Sequence, residues 1–377
     1  MRTIARHVLI TGGAGFIGSH LVDALLADGA KVRVLDALVP QVHGAGRKRP
    51  AYLHPEAELV VGDAGDPSAV ARCLKHVDAV VHFAAAVGVG QSMYEIASYV
   101  ASNTQATANL LQVLSRKKHT VRKLIVASSM SIYGEGAYQC ARCGPLTSAF
   151  RVEARLAAKQ WEMACPLCGA PVAAVPTPET KSLDPSSIYA ITKRDQEEMC
   201  LCVGRAYGLP AVALRFFNVY GERQALSNPY TGVAAIFASR LLNGQPPLIY
   251  EDGCQSRDFV HVSDIVQAVL LAIGKPDADY QALNVGTGRA TAVNEVAVVL
   301  AKSLGRAIQP KILKTFRAGD IRHCVADISK ITERLGYRPH VSFEEGMVRL
   351  TAWLCRQKPK DRSARAASQL TARGLVR

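Results

Sequence analysis

Short apolar segments alternate with amphipathic segments along much of this chain. The apolar segments are three to six residues long, and the segments between them place apolar residues at helical spacing. This alternation predicts an α/β fold with one parallel, doubly wound sheet that helices cover on both faces. The predicted strands are residues 8–11, 32–35, 59–61, 79–82, 124–127 and 211–216, and the predicted helices include 19–27, 103–117 and 187–207.

The alternation stops between residues 138 and 180, where cysteine, proline and alanine are frequent and no sheet strand is evident. Beyond residue 226 short strands and helices mix, with helices expected at 262–273 and 293–304. This pattern predicts a smaller C-terminal α/β region that caps the sheet. Ligands of open α/β sheets bind beyond the carboxyl ends of the strands, so we expect the functional site there.

The first predicted strand runs into a glycine-rich turn and then a helix. Gly12, Gly15 and Gly18 recur every third residue, and a backbone without Cβ atoms can press against a pyrophosphate at the helix N-terminus. The second strand ends at Asp36, whose carboxylate suits the free hydroxyls of an adenosine ribose. No Arg or Lys lies between Gly12 and Gly29 to hold a 2′-phosphate. This order predicts a Rossmann-type dinucleotide site that takes NAD rather than NADP.

Overall composition is that of an ordinary globular enzyme. The 377 residues are 49% hydrophobic and 20% charged, enough for one large α/β unit or two fused domains. No apolar run approaches the ~20 residues of a membrane helix, and no signal peptide is evident. We therefore expect a cytoplasmic protein with reduced thiols and no membrane contact.

The chain is basic, with a formal net charge of +14. Residues 356–377 contain seven basic residues and only one acid, a composition typical of a solvated, mobile and disordered tail. The remaining positive charge suits a pocket for a diphosphate anion. Nucleic-acid binding is possible on this charge but not favoured.

Two short motifs carry candidate catalytic groups. Tyr189 and Lys193 are four residues apart, which places both on one face of the predicted helix. An ammonium near a phenol stabilises the phenolate, so Lys193 is expected to lower the pKa of Tyr189 toward a useful value. Ser128 and Ser129 follow a predicted strand, where a hydroxyl can bond a substrate oxygen.

The glycine turn, the serines and the Tyr-Lys pair, in this order, resemble the extended short-chain dehydrogenase/reductase family, particularly its nucleotide-sugar epimerases and dehydratases. The resemblance implies that Ser129, Tyr189 and Lys193 form a catalytic set. It implies cofactor contacts at Gly12, Gly15, Phe16, Ile17, Gly18, Asp36, Asp63, Ala64, Phe83, Ala84, Ala85, Asn103, Ser128, Tyr189, Lys193 and Phe216. It implies substrate contacts at Ser129, Asn218, Arg257, Arg317 and Asp320. On their chemistry alone, Arg257 and Arg317 suit bidentate binding of phosphate oxygens.

The reaction implied is transient oxidation of a sugar hydroxyl, followed by return of hydride to the other face. A 4,6-dehydratase of this family carries an Asp-Glu pair after the catalytic hydroxyl, whereas Met130 and Ser131 follow Ser129 here. A one-way ketoreductase would usually consume NADPH, against which Asp36 argues. NAD-dependent epimerisation at C4 of a nucleotide sugar is therefore the leading hypothesis.

Two C-x-x-C-G knuckles stand in the irregular segment, with 21 residues between them. Four thiolates presented in this way can hold Zn²⁺ tetrahedrally, without an open position for catalysis. The spacing thus predicts an inserted ribbon with structural zinc that orders a lid or an interface. The predicted metal ligands are Cys140, Cys143, Cys165 and Cys168.

The position of this insertion resembles the dTDP-L-rhamnose 4-epimerase group of the family, as do residues 86–92 and 226–233. That resemblance implies conversion of dTDP-L-rhamnose to dTDP-6-deoxy-L-talose. UDP-glucose or UDP-N-acetylglucosamine 4-epimerase is the alternative. A non-catalytic NAD-binding regulator that uses the zinc ribbon and basic tail is a second class, against which the intact Ser-Tyr-Lys set argues.

The predicted organisation has four parts. Residues 1–137 and 176–225 form the NAD-binding Rossmann domain, with the zinc ribbon at 138–175 inserted in it. Residues 226–355 form mainly the substrate-binding region, and part of this range can add a strand and a helix to the Rossmann sheet. Residues 356–377 are the tail. Family members pair the helices beginning here near Asn103 and Ser187, so a homodimer is expected.

Overall fold

The computed structural model describes residues 5–116, 118–146 and 150–377. Its largest element is a parallel seven-stranded sheet, whose strands we number β1 to β7 in chain order. They are β1 (His7–Thr11), β2 (Lys31–Asp36), β3 (Glu58–Val61), β4 (Ala79–His82), β5 (Lys123–Ser129), β6 (Ala211–Phe216) and β7 (Ala282–Val285). Their order is β7-β6-β5-β4-β1-β2-β3, so the predicted α/β fold class is confirmed.

Seventeen helical segments surround or follow the sheet within the described residues. The α-helices are Phe16–Ala27, Pro40–His43, Pro67–Cys73, Val89–Ser92, Ile96–Tyr99, Ala106–Ser115, Glu153–Ala157, Ile188–Tyr207, Val233–Leu242, Val262–Gly274, Val293–Ser303, Ser329–Leu335, Phe343–Leu354 and Ser363–Thr371. Val100–Gln105 is a π-helix, and Met130–Tyr133 and Pro276–Ala278 are 3₁₀-helices.

Alternate residues of each strand fill two apolar layers, one on each face of the sheet. Val8 and Ile10 of β1 pack on one face, together with residues of the Phe16–Ala27 and Val262–Gly274 helices. Leu9 packs on the other face with residues of the Ile188–Tyr207 helix. This two-residue period follows from strand geometry and explains why the buried strands are apolar throughout.

A third core lies outside the sheet and belongs to the C-terminal half. It joins the Val233–Leu242, Val293–Ser303 and Phe343–Leu354 helices. Three further sheets of two or three strands lie between residues 218 and 324. They pair Asn218–Tyr220 with Phe259–His261, Leu248–Ile249 with Lys311–Ile312, and Ser256–Arg257 with both Thr291–Ala292 and His323–Cys324.

The cysteine segment forms its own antiparallel ribbon, apart from the main sheet. Ala137–Cys140 pairs with Gly144–Pro145 and with Ala173–Val175. The sequence showed that no strand of the main sheet lies here but did not reveal these short pairings. Tyr138 and Met163 are buried together and form a small apolar core for this ribbon.

The expectation of a disordered tail at 356–377 is wrong. Ser363–Thr371 is a helix whose Ala366 and Leu370 are buried. The last residues then pair with the backbone around Arg317 through an antiparallel bridge to Val376. The charge of this segment is read correctly from its composition. Composition alone does not show that its few apolar residues lie on one face of a helix.

Candidate functional site

The glycine turn packs directly against the end of β4. Gly12 has φ +70°, and a Cβ there would lie 2.8 Å from the backbone nitrogen of Ala84. A Cβ at Gly18 would lie 2.6 Å from the carbonyl oxygen of Gly12. Gly15 caps the helix that begins at Phe16, and the first-turn N–H groups of a helix have no intrahelical partner. Only glycines give this shape, which is a cradle for an anion.

Asp36 lies at the end of β2, beside the same turn. Its Oδ2 accepts a hydrogen bond from Ala14 N at 3.0 Å, and its Oδ1 accepts one from Leu38 N at 2.9 Å. The Tyr52 hydroxyl donates to Ala14 O at 2.9 Å, and His43 Nε2 lies 3.6 Å from Asp36 Oδ1. The sequence did not point to Tyr52 or His43, because both come from an irregular segment.

The other predicted cofactor positions lie at neighbouring strand ends. Phe83 and Ala84 follow β4, and the Phe83 ring meets the Phe216 ring edge-on at 5.9 Å. Asn103 is fully buried in the π-helix, where Oδ1 accepts from Ala86 N at 2.7 Å and Nδ2 donates to Thr192 Oγ1 at 2.9 Å. Asn103 thus ties the loop after β4, which includes Ala85, to the helix that carries the Tyr-Lys pair.

Two further predicted positions lie beyond β3. Asp63 Oδ1 accepts a hydrogen bond from Gly65 N at 2.7 Å, and Ala64 is buried beside it. Phe16 and Ile17 of the first helix are half-buried. The predicted cofactor residues therefore lie along one edge of the sheet, at the carboxyl ends of its strands.

The Tyr-Lys pair begins the Ile188–Tyr207 helix. Ser187 caps this helix by accepting from Ala190 N at 3.1 Å, and Ser92 Oγ accepts from Tyr189 N at 3.0 Å. Ser187 thus fixes the start of the helix, and Ser92 holds the backbone of Tyr189. Lys193 follows one turn later and is 4% exposed.

The protonation of this pair differs from the expectation. Burial raises the pKa of Tyr189 to about 12, and a hydrogen bond with Ser129 lowers it only in part. Burial lowers the pKa of Lys193 to about 8, and its Nζ donates to Gln196 Oε1 at 2.8 Å. The expected lowering of the tyrosine pKa by lysine is therefore wrong for this structure. The four-residue spacing fixes the shared face, whereas burial is the largest influence on both pKa values.

A buried polar network joins Lys193 to the glycine turn. Gln196 Nε2 donates to Thr107 Oγ1 at 2.7 Å and lies 3.3 Å from His82 Nε2. His82 Nδ1 in turn lies 2.7 Å from Thr11 Oγ1, at the end of β1. Burial, followed by the charge of Lys193, lowers the pKa of His82 to about 3, so the imidazole is neutral. A histidine ending an apolar strand was the one sequence signal for this network.

Two predicted residues present buried atoms without a partner among the described residues. These atoms are Ser128 Oγ at the end of β5 and Asn218 Oδ1 beyond β6. Ser129 is better satisfied, because its Oγ accepts from Ser131 N at 3.1 Å and from the Ser131 hydroxyl at 2.9 Å. Buried polar atoms are rarely left unpaired in native proteins, so both orphans are candidate ligand contacts.

The predicted substrate residues Arg257, Arg317 and Asp320 form a separate cluster. Arg317 pairs with Asp320 at 2.7 Å and stacks on the Tyr250 ring at 4.8 Å. Arg257 donates to backbone carbonyls and lies 3.5 Å from Asp320. Burial raises the pKa of Asp320, but Arg317 and Arg257 hold it at about 2. Both arginines thus have partners within the protein, a carboxylate for Arg317 and mainly backbone carbonyls for Arg257.

This cluster nevertheless touches the helix of the Tyr-Lys pair. Ser186 Oγ donates to Gly319 O at 2.8 Å, and Ser186 lies three residues before Tyr189. A Cβ at Gly319 would lie 2.6 Å from Ser186 O, so the two segments are in close contact. A ligand held between Arg317 and Tyr189 would therefore span adjacent parts of one site.

The four predicted metal-ligating cysteines converge. All four Sγ atoms of Cys140, Cys143, Cys165 and Cys168 lie within 4.8 Å of one another. Four thiolates bonded to Zn²⁺ at about 2.3 Å would have sulfur–sulfur separations of about 3.8 Å. Cys140 and Cys168 are already 3.7 Å apart. Hydrogen bonds from the Arg142 and Cys143 amides lower the pKa of Cys140 to about 7, whereas the hydrogen bond with Cys168 raises the pKa of Cys143.

Ion pairs join the region around this ribbon to the substrate cluster. Arg151 pairs with Glu135 at 2.9 Å and donates to Asp320 O at 2.7 Å. Arg322, which is 1% exposed, pairs with Glu162 at 2.5 Å. The sequence did not point to these residues, because pairs distant along the chain leave no local pattern. The insertion is therefore anchored beside the segment that carries Arg317 and Asp320.

Comparisons with known proteins agree with this geometry. Residues 8–151 and 167–286 match the NAD dependent epimerase/dehydratase family. The chain belongs to this family. It is 34% identical over 355 residues to dTDP-L-rhamnose 4-epimerase of Burkholderia thailandensis, covering 93% of this chain and 96% of that protein.

Two solved structures are also similar. The UDP-glucose 4-epimerase of Thermotoga maritima with UDP-glucose matches with a TM-score of 0.75 and 33% identity, covering 93% of this chain and 99% of that one. The UDP-glucose 4-epimerase of Thermus thermophilus in complex with NAD matches with a TM-score of 0.72 and 31% identity, covering 93% and 100%.

Family membership confirms the resemblance drawn from the motifs, and it confirms the isomerase class of the enzyme. The three similar proteins named above are 4-epimerases of nucleotide sugars. None of the helices in the described parts of the chain is both long and apolar enough to cross a bilayer.

Proposed function

We propose that this protein converts dTDP-L-rhamnose to dTDP-6-deoxy-L-talose through a transient 4-ketone. The observation that carries the chemistry is the position of Tyr189 at the start of its helix. It lies beside Ser129, with Lys193 one turn further on. The support for the substrate is the similarity to a dTDP-L-rhamnose 4-epimerase over nearly the whole chain.

The residues present fit NAD. Cβ atoms at Gly12 and Gly18 would fill the space of the turn, and Asp36 ends the adjacent strand. The buried Ser128 Oγ lacks a protein partner among the described residues and is available to a ligand. When bound, NAD supplies a reversible acceptor for hydride.

The proposed reaction begins at C4 of the sugar. The hydroxyl proton passes to the oxygen of Tyr189, the C4–H bond breaks with its electron pair, and the C4 oxygen becomes a ketone. Ser129 donates a hydrogen bond to that oxygen as charge develops on it. Return of hydride to the opposite face of C4, and of the proton from Tyr189, gives the epimer.

This assignment requires Tyr189 to act as a phenolate, although its burial favours the phenol. Lys193 is the cation that the chain supplies one helical turn away. Its Nζ is held by Gln196 and so is within a network that fixes its position. We infer that a loaded site turns Lys193 toward the reacting groups and stabilises the phenolate.

We also propose that the four cysteines bind structural zinc. A shell of four thiolates has no vacancy for water, so the metal orders the ribbon instead of catalysing. Through Arg151, the ordered ribbon supports the backbone of Asp320 in the substrate cluster. The proposed role of the zinc ribbon is therefore to support the substrate site structurally.

Incubation with NAD and a panel of nucleotide sugars tests the substrate. We expect dTDP-L-rhamnose and its C4 epimer to interconvert, with products resolved by chromatography. Preferential turnover of UDP-glucose or UDP-N-acetylglucosamine would assign the alternative substrates, in keeping with the similar UDP-glucose 4-epimerases. No interconversion of any C4 pair would contradict the proposal as a whole.

The variant Tyr189→Phe tests the chemistry. Loss of the proton-transferring oxygen should lower kcat by about 10³-fold or more, while NAD binding persists. Tyr207→Phe, at the exposed end of the same helix, is the matched control and should retain activity. A non-catalytic regulator would instead show no turnover in the wild type and a strongly salt-dependent DNA affinity.

A further inference from the structure

The C-terminal strap, residues 363–377, lies across the candidate substrate site. Its helix Ser363–Thr371 is followed by a turn in which Gly374 has φ +68°, and then by an extended end. At its root the buried Arg240 pairs with Asp361 at 3.1 Å and donates to Ser363 Oγ at 3.2 Å. The strap is therefore anchored where it leaves the body of the protein.

The extended end of the strap pairs with the backbone on both sides of Arg317. Phe316 N donates to Arg377 O at 2.8 Å, and Arg377 N donates back to Phe316 O at 3.0 Å. Ala318 N donates to Leu375 O at 2.9 Å. These bonds hold the two neighbours of Arg317 in an antiparallel ladder, which fixes its backbone. Its side chain is held separately, by the pair with Asp320 and the stack on Tyr250.

The helix of the strap contacts the opposite side of the site. Gln369 Oε1 accepts hydrogen bonds from the hydroxyls of Tyr230 at 2.7 Å and Tyr94 at 3.2 Å. The guanidinium of Arg373 lies 4.3 Å from the centre of the Tyr94 ring. Tyr94 closely follows Ser92, which fixes the backbone of Tyr189. The strap thus joins the loop beside the catalytic helix to the segment of Arg317.

Beneath the strap there is a cavity of about 230 Å³, lined by residues that include Arg151, Phe316, Arg317, Asp320 and Arg377. Sites for small ligands usually measure roughly 300–1,000 Å³. The space is therefore too small for a whole nucleotide sugar while the strap is closed. Its lining carries three arginines and four acids, and Arg317 is paired there with Asp320. A diphosphate bound in this space would take the place of that carboxylate on the guanidinium of Arg317.

We propose that the strap opens to admit the nucleotide sugar and then closes over it, holding Arg317 in place for the diphosphate. The proposal rests on the proposed function of the same site. A closed strap reduces the freedom that the Arg317 segment must lose on binding, so it strengthens affinity without touching the reacting carbon. The segment is therefore a positioning element of the substrate site.

Truncation after Arg362 tests this role in the NAD-loaded protein. With dTDP-L-rhamnose as the probe and UDP-glucose in parallel, we expect KM to rise about tenfold or more and kcat to change less than about threefold. Gln369→Leu keeps the strap but removes its bonds to Tyr94 and Tyr230, and should raise KM to a smaller extent. Arg365→Ala, an exposed position of the same helix, is the control and should leave both constants unchanged.

Hydrogen exchange supplies a readout that does not depend on turnover. The amides of Phe316 and Ala318 should exchange slowly in the wild type and rapidly after truncation. If the wild type turns over neither sugar, the proposed function fails, whereas the exchange still reports whether the strap is seated. Equal exchange in both proteins, an unchanged KM in both strap variants, or a KM that falls on truncation would each overturn the proposal.

Discussion

At the scale of single residues, burial changes what a motif can do. The spacing of Tyr189 and Lys193 was readable from the sequence and placed both on one helical face. Their protonation was not, because it depends on how deeply folding buries both side chains and on the hydrogen bond between Tyr189 and Ser129. A pKa is a property of the surroundings of a group, and those surroundings are assembled only by folding.

Ser129→Ala gives a prediction for pH dependence at this scale. The hydrogen bond with Ser129 lowers the pKa of Tyr189, so its removal raises that pKa and leaves less phenolate at any given pH. We expect kcat to fall by about 100-fold at neutral pH and to recover in part as the pH rises. A pH–rate profile should show the alkaline shift of the rising limb relative to the wild type.

Ser131→Ala is the companion variant, because Ser131 donates to Ser129 but is not assigned to the reaction. It should leave the position of the rising limb nearly unchanged. If the rising limb of the Ser129→Ala profile lies at the same pH as in the wild type and only the rate is lower, Ser129 does not set the pKa of Tyr189.

At the scale of elements, local patterns predicted most of the sheet. Strands β1 to β6 were found near their expected positions, because a buried parallel strand is apolar and ends at a turn. The ribbon strands of the insertion are two to four residues long and were not found, since so short a pairing leaves no period. The C-terminal helix was not predicted, because charged residues dominate the composition of that segment.

The cysteine ribbon gives the prediction for this scale. We expect the wild type to carry zinc at about one ion per chain and Cys165→Ser to lose most of it, because one of four thiolate ligands is removed. Since the insertion supports Asp320 through Arg151, the KM for the nucleotide sugar should rise about tenfold with a smaller effect on kcat. Metal analysis and steady-state kinetics measure the two effects.

Cys202→Ser is the matched control, because Cys202 is exposed and lies outside the cluster. It should retain both zinc and KM. Wild-type protein that is purified without chelator and contains no zinc would contradict the metal assignment. Loss of zinc with an unchanged KM would instead show that the ribbon does not support the substrate site.

At the scale of the whole molecule, two exposed apolar residues lie on neighbouring helices. Val100 and Ile191 are both 42% exposed, unusual for apolar residues within helices that pack on the sheet. Val100 lies four residues before Thr104, and Ile191 lies four residues before Asp195. Because Thr104 and Asp195 are hydrogen-bonded to each other, both apolar residues lie on the face where the two helices meet. We propose a two-fold homodimer through this face.

Val100→Glu with Ile191→Glu should convert a dimer to a monomer in analytical ultracentrifugation, because unpaired buried carboxylates are costly at an interface. Val348→Glu, 64% exposed on the Phe343–Leu354 helix, should remain dimeric. A wild-type protein that sediments as a monomer would exclude this assembly, whereas a dimer unaffected by the double variant would place the interface elsewhere.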